Sequence, residues 1–379
     1  MPEGDVVLLT ARRLDAALRG RPLDRADLRW PTAFEVDLVG RTVREVAAYG
    51  KHLLTRFDDG RTLRTHLRMD GTWRIARTGT PQARARDPRV RAVLGNATWT
   101  CVGTDLGMLD VVRTRDERTL LGDLGPDLLA DGFEDALPNP DGTPARAGVD
   151  VATERILAAD AAGGFRREHD PDHGAPLAEL LLSQRGVAGI GTIYLAETLF
   201  AHRRWPWTPA RAVGPDGVRE LLLTARRLEL AAVARGPQTQ ERYVHGREGR
   251  PCRVCGTTVQ VGVANRPPYE RPVFWCPVCQ APGQPTGARS SGAPWQAREA
   301  SDRSSRTRSS RSSARPAGVV SADIVRSAGT VSGIEKPSAT ATRSLTSRST
   351  SHRGTSSASQ IDARSSDEAS FWPRSTSLR

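Results

Sequence analysis

Apolar and small residues recur at Val7, Ala11, Leu14 and Leu18, spacings of four, three and four that lie on one face of a helix. The pattern predicts a helix over residues 5–19, capped by Asp5 and stopped by Gly20. Strand-like stretches follow at residues 42–46, 51–57, 61–69 and 72–76. Asp59-Gly60 and Asp70-Gly71 separate three of them as tight-turn dipeptides, so they read as an antiparallel meander. Residues 92–102 and 108–113 extend this sheet-rich region. Residues 136–148 are rich in Pro, Gly, Asp and Asn and predict a linker. Helical patterns then dominate, at 150–159, 175–184, 193–201 and 216–235, with Gly186, Gly189 and Gly191 separating the second from the third. Beyond Gln280 the chain is Ser/Arg/Thr/Gly/Pro-rich and has too little apolar surface to offset chain entropy, which predicts disorder to Arg379.

A length of 379 residues suits two or three domains rather than one core. The start, Met1-Pro2-Glu3-Gly4-Asp5, has no basic n-region or apolar h-region, and no run of 18 apolar residues occurs. This predicts a soluble intracellular protein with no membrane partner. The net charge of +12 suggests a polyanionic partner. Roughly +8 of it falls after Gln280, however, so bulk charge says little about the folded part. More telling is that only Lys51 and Lys336 are lysines among 55 basic residues. An ammonium is a compact point charge that can release its proton, whereas guanidinium is a wide fork that stays charged. Lys51 is therefore a candidate functional residue.

Cys252-x2-Cys255, twenty residues, and Cys276-x2-Cys279 offer four thiolates at zinc-knuckle spacing. They predict one structural Zn2+ with no open position; a redox CxxC would call for a strand-to-helix context that neither pair has. Cys101 stands apart and reads as core packing. Between the pairs, Arg253, Arg266 and Arg271 with Tyr269, Phe274 and Trp275 suggest a β-hairpin offering cations beside aromatic surface. At the other end, removal of Met1 would leave Pro2 as a secondary α-amine with a pKa of about 7.7–8.0, partly unprotonated at neutral pH and able to attack a sugar C1′. Glu3 could move protons beside it, kept ionised by the positive end of the helix that follows.

Six ordered blocks now resemble one family: Met-Pro-Glu-Gly at residues 1–4, Gly-Lys-His-Leu-Leu at 50–54, Thr-His-Leu-Arg-Met-Asp-Gly at 65–71, Leu-Gly-Pro-Asp-Leu-Leu at 124–129, Gln-Arg-Gly-Val-Ala-Gly-Ile-Gly at 184–191, and the four-cysteine module. They resemble formamidopyrimidine-DNA glycosylases and endonuclease VIII over residues 1–280. The Pro-Glu-Gly start leans to the endonuclease VIII-like branch, of actinobacterial type. The resemblance implies an α+β multidomain fold: an N-terminal β-sandwich catalytic domain over 1–135, a helix–two-turn–helix DNA-binding domain over 149–240, a zinc finger over 243–281, and a disordered tail over 282–379. It implies a bifunctional DNA glycosylase and abasic-site lyase of base excision repair, acting as a monomer on damaged double-stranded DNA in the bacterial cytoplasm, with oxidised pyrimidines as targets.

Residue by residue, the resemblance makes Pro2 the nucleophile, Glu3 the acid/base group and Lys51 a catalytic lysine contacting phosphate. Arg271 and Thr192 become phosphate contacts, and Arg68 and Met69 the side chains that refill the stack when a nucleotide is everted; Leu67 is expected to face the core. Two positions depart from the family. Thr192 replaces its usual asparagine, and Val6 stands where many members have a second acid. These departures keep two rivals in view, a non-catalytic or abasic-site-only damage binder on the same scaffold, and a zinc-ribbon nucleic-acid-binding protein.

Overall fold

The structure is a computed structural model that describes residues 2–137, 145–166, 169, 171–236 and 242–281. The disorder expected for 282–379, and the central residues 138–144 of the expected linker, lie outside the described residues. The chain opens with α1 (Gly4–Leu18), whose Val7, Ala11, Leu14 and Leu18 are all buried as the periodicity requires. It ends where Gly20 takes a left-handed φ of 71° and donates its N–H to Val43 O. Asp5 does not cap it. Glu3 is the cap residue, with no side-chain cap bond of its own, and Asp5 lies in the first turn, accepting from the Tyr194 hydroxyl at 2.7 Å.

Eight strands follow: β1 (Arg25–Leu28), β2 (Val43–Tyr49), β3 (His52–Phe57), β4 (Arg61–His66), β5 (Thr72–Arg77), β6 (Val90–Gly95), β7 (Trp99–Thr104) and β8 (Met108–Arg113). They form two antiparallel sheets, ordered β2-β3-β4-β8 and β1-β6-β7-β5. The expected single meander is thus only partly found: β2, β3 and β4 follow one another, but the chain leaves that sheet at 67–71 and β5 pairs with β7. The stretch 92–102, expected as one strand, turns on itself at Asn96. The Asn96 carboxamide accepts from the N–H groups of Thr98 and Trp99 and donates to Ala17 O, which closes the turn and ties it to α1. Leu14 and Leu18 of α1, Leu53 and Phe57 of β3, Leu63, Leu94, Cys101 and Leu109 share one core, so α1 is fixed against both sheets. Cys101 is packing, as expected.

A short α2 (Glu117–Leu121) leads to the helical half, α3 (Gly148–Ala161), α4 (Leu177–Leu182), α5 (Thr192–Ala201) and α6 (Ala210–Arg235). The last is kinked at Gly214, where φ of 75° precedes Pro215, so that the helix expected over 216–235 is its part beyond the kink and a shorter helical piece from Ala210 precedes it. Leu177, Leu181, Ile190, Tyr194, Leu199, Leu221 and Leu222 belong to its core, the second of the molecule. A hairpin of β9 (Gln260–Ala264) and β10 (Arg271–Trp275) closes the described chain, in register from Arg271 opposite Ala264 to Trp275 opposite Gln260. Among the described residues no helix is long and apolar enough to cross a membrane.

Candidate active site

The first turn of α1 is pressed into the segment that starts α5. Gly4 N–H donates to Gly189 O at 3.2 Å, which brings residues 2–4 to the α5 N-terminus. Glu3 is buried, and its carboxylate accepts the N–H groups of Gly191 at 3.1 Å, Ile193 at 2.9 Å and Tyr194 at 3.3 Å. The first N–H groups of a helix have no partner within it and carry its positive end, so they suit a carboxylate. The helix that receives Glu3 is therefore α5, 190 residues away in sequence at Ile193, and not α1 as expected. Glycine at 191 leaves room for this arrangement, because a Cβ there would overlap the Glu3 carboxyl group. Burial raises the Glu3 pKa, against the opposing pull of Lys51 and the α5 amides.

Lys51 follows Gly50 at the β2–β3 turn. Gly50 has φ of 54°, and a Cβ on it would lie 2.7 Å from the Ala188 methyl, so the turn depends on glycine twice over. Lys51 is half-buried, and its pKa is lowered by burial against the raising effect of Glu3 and Glu229, with Arg271 lowering it further. Three expected site residues, Glu3, Lys51 and Arg271, thus come from distant parts of the chain to one place, with Pro2 half-buried next to Glu3. Asp127 supports this junction. It accepts from Leu129 N–H at 3.1 Å, and burial pushes its pKa up to about 6 while the Leu129 and Gly50 amides oppose the shift.

Sequence reading missed Glu229 of α6, which is fully buried beside Gly4. A lone glutamate on a helix ordinarily reads as solvated surface. The available signal was its place on the apolar stripe of Leu222, Ala225 and Ala232.

The turn after β4 carries Arg68 and Met69, both exposed, while Leu67 is buried in the sandwich core as expected. The left-handed residue is Arg68, at φ of 50°, and not Gly71; its N–H donates to His66 Nδ1 at 2.8 Å. Gly71 is needed for space, since a Cβ would meet Leu67 O and Asp105 O. His66 and His52 meet edge to face with centroids 4.9 Å apart, and burial lowers their pKa values to about 3 and about 4. Thr192 is buried at the start of α5, its hydroxyl 3.3 Å from His245 Nε2, and Val6 packs against the sandwich core. Arg271 is exposed at the start of β10.

The sulfurs of Cys252, Cys255, Cys276 and Cys279 lie within 4.8 Å of one another. Cys252 and Cys279 are 3.9 Å apart and Cys255 and Cys276 are 3.4 Å apart. Tetrahedral thiolates at a metal–sulfur distance of about 2.3 Å stand about 3.8 Å from one another, so the cluster fits one metal ion. Not all of the hairpin's aromatics form an open surface. Trp275 meets Trp207 of the helical half at 4.8 Å, and Phe274 meets His245 at 4.9 Å. Tyr269 stays half exposed, with the Arg166 guanidinium 3.8 Å from its ring centre. Glu197 of α5 completes the docking by accepting the N–H groups of Tyr243, Val244 and His245.

Residues 1–111 match the family model of the formamidopyrimidine-DNA glycosylase N-terminal domain. A protein of Streptomyces coelicolor named "Probable endonuclease 8 2" is 40% identical over 300 residues, covering 76% of this chain and 99% of its own. The chain belongs to the formamidopyrimidine-DNA glycosylase/endonuclease VIII family. Its place is in the endonuclease VIII-like branch of actinobacterial type. A DNA-(apurinic or apyrimidinic site) lyase of Mycolicibacterium smegmatis is 36% identical over 286 residues, covering 74% of this chain and 99% of its own. Among solved structures, the formamidopyrimidine-DNA glycosylase of Thermus thermophilus superposes with a TM-score of 0.56 at 28% identity, covering 75% of this chain and all of that one. The Lactococcus lactis enzyme, solved non-covalently bound to DNA containing an abasic site, superposes at 0.59 with 21% identity over 74% of this chain, a likeness of fold. The α+β architecture and the family expectation hold together.

Proposed function

We propose that the chain is a bifunctional DNA glycosylase and abasic-site lyase of base excision repair acting on damaged double-stranded DNA. The observation that carries this reading is the Glu3 carboxylate, buried next to Pro2, held by three amides at the start of α5 and opposed by Lys51. With Met1 removed, the Pro2 amine attacks C1′ of the damaged nucleotide, the base leaves with a proton, and cleavage of C1′–O4′ then opens the sugar and leaves an iminium joining Pro2 to C1′. In this reading Glu3 passes a proton to O4′ of the opening ring and then takes one from C2′, whose hydrogens the iminium acidifies; elimination of the 3′ and then the 5′ phosphate follows. Lys51 and Arg271 supply positive charge for the phosphates. Arg68 and Met69, exposed on a turn held by His66, fill the gap left by the everted nucleotide. Thr192 reaches a phosphate only if its hydroxyl leaves His245.

In this reading residues 1–135 are the catalytic sandwich, 149–240 the helix–two-turn–helix part and 243–281 the finger, and the protein works as a monomer in the bacterial cytoplasm. Cys252, Cys255, Cys276 and Cys279 hold one structural Zn2+, which stabilises the finger and leaves no position for water. Oxidised pyrimidines are the proposed substrates, because a saturated, poorly stacked base is less unfavourable to extrude. The inward-facing Thr192 hydroxyl favours a second reading, a protein that cleaves or binds abasic sites without removing bases.

Borohydride trapping on three duplexes tests this, with dihydrouracil, 8-oxoguanine opposite cytosine, or an abasic site. We expect a covalent adduct at Pro2, abolished by an uncleaved N-terminal extension, and faster excision of dihydrouracil than of 8-oxoguanine. Undiminished trapping with the extension in place would remove Pro2 as nucleophile. Reaction at the abasic site alone would select the second reading.

A further inference from the structure

Glu229 lies on the buried stripe of α6 and is 0% exposed. Among the described residues it is the only carboxylate with both oxygens buried and without a hydrogen-bond partner. It is aimed at the first turn of α1, where a Cβ on residue 4 would overlap its Oε2. Four charged groups face it: Glu3 and Asp5 from α1, Lys51 from the β2–β3 turn, and Asp127 from the loop after α2.

The three other carboxylates each have donors that stabilise negative charge. Glu3 has the amides of Gly191, Ile193 and Tyr194, Asp5 the Tyr194 hydroxyl, and Asp127 the amides of Leu129 and Gly50. Glu229 has none, and burial together with the neighbouring carboxylates raises its pKa well above the ordinary value, with only Lys51 opposing. Where two carboxylates share one cage, the environment decides which of them ionises. Burial raises the pKa of both carboxyls, but the amide donors on Glu3 and their absence at Glu229 favour the charge on Glu3 and the proton on Glu229.

We propose that Glu229 is a positioning residue of the active site: as a neutral acid it leaves Glu3 the dominant anion opposite Lys51, so that the Lys51 ammonium stays available to a DNA phosphate. The inference rests on the function proposed above for Glu3 and Lys51. Ionisation of Glu229 at high pH would place a second anion beside Lys51, draw the ammonium inward and lower activity. The folded state also holds this proton at pH values where the unfolded chain has lost it, so the residue makes folding less favourable as pH rises from about 4.5. A buried acid kept at such a cost is expected at a working site.

The test uses the full chain and compares wild type with Glu229→Gln, which keeps the shape but cannot ionise, and with Glu229→Leu. Thermal unfolding and single-turnover cleavage of abasic-site DNA are measured across pH. We expect Glu229→Gln to melt with wild type near pH 4 and above it at pH 8. The alkaline limb of its rate profile should move to higher pH by about one unit, with the acidic limb in place, and Glu229→Leu should show the same displacement. Identical alkaline limbs in all three proteins would overturn the inference, as would a lower melting temperature of Glu229→Gln at pH 8, since that would reveal a partner needing the carboxylate. A wild type that never traps on abasic DNA would instead bring down the proposed function and this inference with it.

Discussion

Glu3 has meaning only through residues far from it in sequence. Its position is set by the amides at the start of α5 and by a glycine at 191 that leaves room for its carboxyl group, and its pKa is raised by the resulting burial against the pull of Lys51 and those amides. The φ of Gly191, −121°, is open to any residue, so its role is spatial and not conformational. This gives a clean substitution. Gly191→Ala should fold, because its backbone geometry is permitted and the added methyl displaces one side chain, but the Glu3 carboxylate must leave the α5 amides. Acid–base groups of this kind contribute about 10²–10⁴-fold to rate, and we expect base excision to fall by at least about 10²-fold. Single-turnover rates beside a melting curve check it. A folded Gly191→Ala protein within about threefold of wild type would mean that this placement of Glu3 is not required for turnover.

At the level of elements, what the chain declared was periodic or chemically rare. The stripe at Val7, Ala11, Leu14 and Leu18 gave α1 to within one residue at each end, and β8 was found with its observed bounds. By contrast, β1 is four residues with little alternation, and β6 and β7 read as one run because their turn rests on a single asparagine. Lys51 was legible because lysine is scarce here, whereas Glu229 was one glutamate among many and only packing gives it meaning. The hairpin's aromatics were legible as a group but not in direction, since Trp275 meets Trp207 and Phe274 meets His245. The first of these contacts makes Trp207 the clamp of the hairpin: its ring packs on Trp275 and also fills the space where a Cβ on Gly262 would lie 2.7 Å away. Trp207→Ala should therefore loosen β9 and β10 by about 1–3 kcal/mol, less than a fully buried aromatic would lose. Amide exchange of 260–264 and 271–275 should quicken while β3 and β4 stay protected. Uniform quickening across both would show that the hairpin does not open as a separate unit.

For the whole molecule, the question is where its charge acts. The candidate site gathers Glu3, Asp5, Asp127 and Lys51 about Glu229, with Arg271 near that lysine, so the described part recognises DNA by placement more than by excess charge. The basic excess lies elsewhere. Residues 281–379 contain 15 basic and 7 acidic side chains, roughly two thirds of the net charge, and none of the six family blocks. Each phosphate neutralised on duplex DNA releases counterions and adds about 0.9 to the slope of log affinity against log salt. A segment with this composition raises affinity for any duplex but cannot distinguish a lesion, which base eversion at the site must do. Truncation after Gln280 should therefore leave single-turnover excision within about twofold of the full chain at low salt. On undamaged DNA it should weaken binding and reduce the salt slope by on the order of 2–5 units. Titrations of both proteins on damaged and undamaged duplexes between low and physiological salt measure the two effects separately. Loss of excision in a truncated protein that still melts cooperatively would mean that residues after Gln280 take part in the chemistry, and an unchanged slope would mean that their charge never meets the DNA.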